Sequence, residues 1–231
     1  QPFGGWKRSS VGTTTKAGGP NYLTHLGSWR PRPLRTVATS HPLSASVASL
    51  LEAATGHVTP AELRELTASA ASDEVAWSRE YGVLKDVSKL GVERNVFRYV
   101  AVPVTIRFDG LLHELVRILL AARRTGSTVT VSSRVPLPAG LVEGARVESH
   151  DEWLTQVAHT RPSRVRLIGA DAKDVAVAVE GDPDVAIYAA PVTSSGRVEA
   201  LPFLQEQAIS ITNHRFGNPD TEFARVLPRR S

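Results

Sequence analysis

Val102-Pro103-Val104-Thr105-Ile106-Arg107-Phe108-Asp109-Gly110-Leu111-Leu112-His113-Glu114-Leu115-Val116-Arg117-Ile118-Leu119-Leu120 passes from one periodicity to another at Gly110. Before it, Val102, Val104, Ile106 and Phe108 alternate with Pro103, Thr105 and Arg107, the two-residue period of a strand. Pro103 brings no amide hydrogen to a sheet ladder, so it belongs at a strand start or an edge. After Gly110, Leu111, Leu112, Leu115, Val116, Leu119 and Leu120 form one wide apolar stripe at helical spacing. Gly126 stops that helix, and residues 128–133 read as the next strand.

Downstream the alternation continues. Residues 146–149 read as a short strand, 151–159 as a helix with Trp153 and Val157 inward, and Arg164–Ile168 as a strand. Residues 172–179 follow as a helix and 185–190 as a buried strand. Strands separated by helices of this length imply a parallel sheet with right-handed crossovers. The expected fold is α/β, a Rossmann-like, mostly parallel sheet over residues 101–199.

Upstream, residues 32–100 read as a linker and a small helical layer. Val47, Leu50 and Leu51 share a face, and Gly56 stands where that helix would stop. Thr59-Pro60-Ala61-Glu62 has the pattern of a capping box with proline in the first turn. A third helix is expected from Ser72 or Asp73, offering Val75, Trp77 and Tyr81 to a core and ending near Gly82. Residues 1–31 are loop-rich, with turns at Gly4-Gly5 and Gly18-Gly19-Pro20. After the last expected strand, residues 200–231 carry Leu201, Phe203, Leu204, Ile209, Ile211 and Phe216, an apolar set that marks an interface.

The 231 residues give room for one domain and some appended structure, and 42% apolar with 22% charged residues is an ordinary globular composition. No apolar run approaches the roughly 20 residues of a membrane span, and the start carries no signal-peptide pattern, so a cytoplasmic setting is expected. The chain has no methionine, from which Gln1 is expected to be a cut end. It has no cysteine either, which excludes disulfides, thiolate metal sites and a cysteine nucleophile within it. The net charge of +4 is uneven: the first 51 residues hold Lys7, Arg8, Lys16, Arg30, Arg32 and Arg35 with no acid, and the remainder sums to −2. No helix has a basic face, and Trp6, Tyr22 and Trp29 do not interleave with the charges. The basic segment therefore points to an acidic neighbour, and no nucleic-acid partner is expected.

The residues assemble no catalytic group. The first strand-to-helix turn, Phe108-Asp109-Gly110-Leu111, has one glycine where a dinucleotide fingerprint needs three. Asp109 would put negative charge where phosphates sit, and its expected role is a helix cap. The seven histidines form no metal-binding pair, and no serine lies in a nucleophile elbow. Asp182 and Asp184 flank Pro183 in a turn. No cofactor and no metal is expected to bind this chain.

Motifs at both ends carry a resemblance. Pro2-Phe3-Gly4-Gly5-Trp6-Lys7-Arg8-Ser9 is similar to a loop near the end of aldehyde dehydrogenases, and Lys16-Ala17-Gly18-Gly19-Pro20-Asn21-Tyr22-Leu23 resembles the stretch that marks their glutamate-semialdehyde branch. The resemblance implies that residues 1–31 are the end of a catalytic domain. There Phe3, with Gly4 and Gly5, lies against the semialdehyde, while the essential cysteine, glutamate and asparagine lie upstream. Residues 120–133 resemble a cofactor-domain segment of the same superfamily, with Ser132 in place of its lysine and Ser133 in place of its proline, which fits a degenerate copy. Residues 201–219, including Phe203, Ile211, His214, Arg215 and Phe216, look like the C-terminal motif of the proline utilization A family.

That resemblance implies a parent that oxidises proline with FAD and then glutamate semialdehyde with NAD. The upstream domains of the same polypeptide are its partners, and the parent is a homo-oligomer, cytoplasmic or peripheral to a membrane. The C-terminal motif is implied to pack near the aldehyde site and seal an internal passage. Two other readings stand beside it: a stand-alone non-catalytic binding or oligomerisation module descended from an aldehyde dehydrogenase, and a nucleotide-binding regulator, which the missing glycines weaken.

Overall fold

In the computed structural model, which describes residues 15–28, 42–90 and 93–212, the sheet is built around its first strand. β2 (Val104–Phe108) lies at the centre of a five-stranded parallel sheet of order β4-β3-β2-β5-β6. The chain moves outward on one side through β3 (Val129–Ser133) and β4 (Arg146–Val147), then returns to place β5 (Arg164–Ile168) and β6 (Ala186–Tyr188) on the other. β2 pairs in register with both neighbours, Ile106 against Val131 and against Arg166. This is the Rossmann order, with its switch point between β2 and β5.

α3 (Leu112–Thr125) was expected to bury one stripe, and it buries every residue from Leu115 to Ala122. The reason lies upstream: α1 (Ala45–Ala54) and α2 (Pro60–Ala76) pack on its outer side, so α3 is sandwiched between helices and sheet. One core runs from Val47 and Leu50 through Ile118 and Leu119 to Ile106 and Val131. Gly126 ends α3 in the left-handed region (φ 75°), and its amide donates back to the last turn. The β3–β4 connection contains no helix; Leu141, fully buried in this loop, joins the same core. On the other face, α4 (His150–Thr160) presents Trp153 and Val157, as its sequence predicts, to Val165 and Leu167 of β5 and to α5 (Ala172–Ala178).

The capping box at Thr59 forms: Glu62 N–H donates to Thr59 Oγ1, and Glu62 Oε2 takes the Thr59 amide at 2.8 Å. The third helix does not start anew. α2 runs unbroken through Ser72 and Asp73 and continues as a π-helical turn, Trp77–Tyr81, ending at Gly82. Asp73 is no cap because its carboxylate accepts two N–H groups of Arg117, at 2.9 and 2.7 Å, in the buried interior. Ser72 accepts from the amide of Gly196, at the start of the short α6 (Gly196–Glu199), which sits so close that a Cβ there would lie 2.5 Å from the Asp73 backbone.

Two further differences concern strands. β6 is a half-buried edge strand of three residues and not a buried central one, since nothing pairs with its outer side among the described residues; Val185, just before it, is the buried residue. Residues 93–101, expected within the linker and helical region, form β1 (Glu93–Ala101), and the tail contributes β7 (Leu204–Thr212). The two make a separate antiparallel ribbon in register from Glu93 with Thr212 to Ala101 with Leu204.

Candidate functional site

Two places deserve a chemical test, the carboxyl end of the parallel sheet and the ribbon. Open α/β sheets bind ligands at the carboxyl ends of strands on either side of the switch point. Here the turns after β2 and β5 touch. The Asp109 amide donates to the Ile168 carbonyl at 2.7 Å, and a Cβ on Gly169 (φ 80°) would lie 2.2 Å from the Asp109 carbonyl oxygen. Gly110 is hemmed in by Ile168 and Glu114. The expected cap role of Asp109 is not what the structure holds: Leu111 is the N-cap, its amide bonds Glu114 Oε2 at 3.2 Å, and the Asp109 carboxylate pairs with Arg134 at 3.1 Å. A pyrophosphate would meet two carboxylates and a closed crevice, so these residues do not fit a dinucleotide.

Ser132, which the resemblance sets against a lysine, is buried and accepts from Arg107 Nη1 at 2.5 Å. Arg107 itself is fully buried in mid-strand, donates to the Glu148 carbonyl at 3.3 Å, and lies 5.3 Å from the Trp153 ring. Burial pushes its pKa down, against the charges of Asp109 and Glu148. These polar groups are spent on holding β2, β3 and α4 together.

The ribbon differs. On its inward face Phe97, Tyr99 and Leu204 pack with Tyr81, the Tyr99 ring edge-on to Tyr81 at 4.7 Å and to Phe97 at 5.3 Å. Against this face lies the Lys16-Ala17-Gly18-Gly19-Pro20-Asn21 loop, and one carboxylate joins them. Glu206 of β7, 3% exposed, accepts the Lys16 amide on Oε2 at 2.6 Å and Asn21 Nδ2 on Oε1 at 2.8 Å. Asn21 Nδ2 also donates to the Tyr99 hydroxyl at 2.8 Å, and that hydroxyl donates to Glu80 at 3.3 Å.

The two glycines of the loop have separate reasons. Gly18 is left-handed (φ 71°), and a Cβ on Gly19 would come within 2.7 Å of Glu206 Oε2. Lys16 and Asn21 are buried in consequence. Burial lowers the Lys16 pKa, with the Glu206 charge opposing, and burial together with that charge raises the Tyr81 and Tyr99 hydroxyls. Beyond the loop, the 3-10 turn Tyr22–His25 leaves Leu23 and Leu26 about three-quarters exposed, at 74% and 70%.

Of the residues the sequence singled out, Phe3, Gly4 and Gly5, and His214, Arg215 and Phe216, lie outside the described residues. Phe203 sits in the main core with no exposure, and its carbonyl takes the Val102 amide at 3.0 Å. Ile211 is half-buried toward the far end of β7, opposite Arg94. Glu206 falls within the 201–219 motif without a role of its own; the signal in the sequence is an acidic residue on the same strand face as Leu204 and Ala208.

An open groove of about 640 Å3 lies between α2, the start of α3 and residues 192–194, lined in part by Glu62, Glu65, His113, Glu114 and Thr193. Arg117, which also lines it, pairs with the buried Asp73, whose pKa burial pushes up to about 6 against the pull of Arg117. Among the described residues no three metal-ligating side chains converge, and no helix is long and apolar enough to cross a membrane.

No protein-family model and no curated protein matches the chain. Among solved structures, proline utilization A from Corynebacterium freiburgense is 36% identical, with a TM-score of 0.65, over 94% of this chain and 19% of that one. The chain thus spans about a fifth of that protein's length. Histidinol dehydrogenase from Elizabethkingia anophelis (10% identity, TM-score 0.42, 62% of this chain and 39% of that one) also matches. So does an NAD-dependent benzaldehyde dehydrogenase from Corynebacterium glutamicum (16%, 0.38, 62% and 37%). At those scores neither carries weight.

Proposed function

The chain belongs to the proline utilization A family as a counterpart of its C-terminal, aldehyde dehydrogenase-like part, and on that premise we propose that it is the non-catalytic portion of a two-activity enzyme. The parent oxidises proline with FAD and then glutamate semialdehyde to glutamate with NAD. This portion supplies the Phe3-Gly4-Gly5 loop that lines the semialdehyde and a domain that braces the aldehyde site and seals its passage. The observation that carries this reading is the 36% identity along 94% of the chain.

Chemistry on the page supports it. Oxidation through a thiohemiacetal needs a thiolate, and the chain has no cysteine. The closed crevice at Asp109 and Gly169 argues that NAD belongs to the upstream domain and not to this sheet. The exposed Leu23 and Leu26, on the segment that resembles the end of the catalytic domain, are apolar surface suited to being covered by the rest of that domain.

The test is to assay the purified chain and the full-length parent side by side for NAD-dependent semialdehyde oxidation. The expected result is turnover by the parent and none by the chain. Turnover by the chain that survives removal of contaminating enzymes would sink the proposal.

A further inference from the structure

A buried carboxylate must be compensated by hydrogen bonds, and where those bonds go shows what the residue holds. Two donors to Glu206 belong to the 16–21 loop, the Lys16 amide at 2.6 Å and Asn21 Nδ2 at 2.8 Å. The loop is stiff in itself. The Gly19 amide closes on the Lys16 carbonyl at 2.8 Å, the Tyr22 amide on Gly19 at 3.2 Å, and Thr24 Oγ1 on the Asn21 carbonyl at 2.6 Å. A rigid loop held at Lys16 and Asn21 by Glu206, and again at Asn21 by Tyr99 of the paired strand, takes its place from the ribbon. Glycine at 19 is what lets the carboxylate reach the loop, since a Cβ there would be 2.7 Å from Glu206 Oε2.

We propose that Glu206 is a positioning residue for the aldehyde site: from β7 it fixes the 16–21 loop, and through it the place from which the chain runs back to Phe3-Gly4-Gly5. It touches no reacting atom. Its effect falls on how the semialdehyde is held, because the loop it registers leads to the residues that line the substrate. This inference rests on the function proposed above, and it predicts a split between kinetic constants that a purely structural carboxylate does not produce.

The experiment uses the full-length parent. Glu206→Ala is expected to raise KM for glutamate semialdehyde about tenfold with kcat changed less than about threefold, the pattern of lost ground-state positioning. Proline oxidation stays unchanged, and amide exchange quickens in residues 15–28 while the parallel sheet keeps its protection. Glu206→Gln recovers most of the KM. Asn21 Oδ1 accepts no hydrogen bond in the native seam, so a turned Asn21 amide can accept the new Gln N–H on that oxygen while the Gln oxygen still takes the Lys16 amide. If Glu206→Ala does not yield folded enzyme, Asn21→Ala removes from the loop side one of the two bonds to Glu206, together with the bond to Tyr99, and is expected to shift KM in the same direction.

An unchanged KM in folded Glu206→Ala enzyme, or an equal fall in both activities, overturns the positioning role. A wild-type parent without semialdehyde activity instead overturns the proposed function. Exchange in residues 15–28 then still decides the link, which fails if Glu206→Ala leaves their protection intact.

Discussion

The carboxyl end of the parallel sheet and the β1–β7 ribbon both bury charge, and they direct it differently. At the sheet, Arg107 donates only to near neighbours, Ser132 beside it and the Glu148 carbonyl, so its charge serves β2, β3 and the approach to α4. On the ribbon, Glu206 reaches a loop 190 residues away in sequence. The first arrangement closes a surface that in this architecture usually receives a ligand. The second opens a domain to a segment that resembles the end of another. A Rossmann-like sheet keeps its fold whatever chemistry it carries, and on the proposed reading the contact with the catalytic part lies in a ribbon outside the sheet.

The largest expected effect comes from breaking what both regions share. Asp73→Ala leaves Arg117 buried and unpaired between α2 and α3, which should cost about 3–5 kcal/mol. Urea unfolding of the parent's C-terminal unit should show one cooperative transition at much lower denaturant. Two separate transitions would mean that sheet and ribbon do not depend on one core.

Phe203→Ala comes next and probes the junction, because Phe203 immediately precedes the ribbon's second strand while its ring lies in the sheet's core. Removing a buried Phe should cost about 3–5 kcal/mol, toward the lower end where the site can collapse. The melting curve reads it, and a change under about 1 kcal/mol would show that this end of β7 belongs to the ribbon alone.

Gly169→Ala should cost more than about 1 kcal/mol, from the left-handed backbone and the clash with the Asp109 carbonyl. The loss should be confined to the sheet, with amide exchange in residues 15–28 unaltered. Faster exchange there would couple the two regions.

The smallest effect is a pH slope. Glu62 and Glu152 both close capping boxes, and the hydrogen bonds from Thr59 and Ser149 hold their carboxyls below the usual 4.5. A depressed folded-state pKa gives stability that is present above the unfolded value and lost as pH falls through the folded one. Stability should therefore decline below about pH 4.5, and the Glu62→Gln/Glu152→Gln double variant should flatten that part of the slope. An unchanged slope would assign the acid sensitivity to other carboxylates.

How much of this was legible depends on whether a residue's partner is local. The β2–α3 unit could be read because alternation and an apolar stripe are properties of neighbouring residues. Thr59 with Glu62, and Gly126, were legible for the same reason, since a cap acts within one turn. Ser72-Asp73 has the look of a helix start, but Asp73 is committed to Arg117 on another helix, and no local pattern records that. β1 escaped because Arg94-Asn95-Val96-Phe97-Arg98-Tyr99 does not alternate: Val96 and Phe97 are adjacent and both buried, one on each face of the ribbon. β7 hid within a motif read as a tail. The seam was half-visible: the glycine pair of the 16–21 loop read as a turn, but the group that approaches Gly19 is Glu206, near the far end of the chain.

The most direct measurement compares two single substitutions in the full-length parent, Glu206→Ala at the seam and Asp109→Asn at the sheet's carboxyl end. Asp109 makes an exposed pair with Arg134, of a kind worth little to stability, so its replacement tests the crevice without unfolding it. With semialdehyde and NAD each varied, Glu206→Ala should raise the semialdehyde KM about tenfold while Asp109→Asn leaves KM for both substrates and kcat at wild-type values. A raised NAD KM in Asp109→Asn, with Glu206→Ala indistinguishable from wild type, would place the working surface at the end of the sheet and contradict the account.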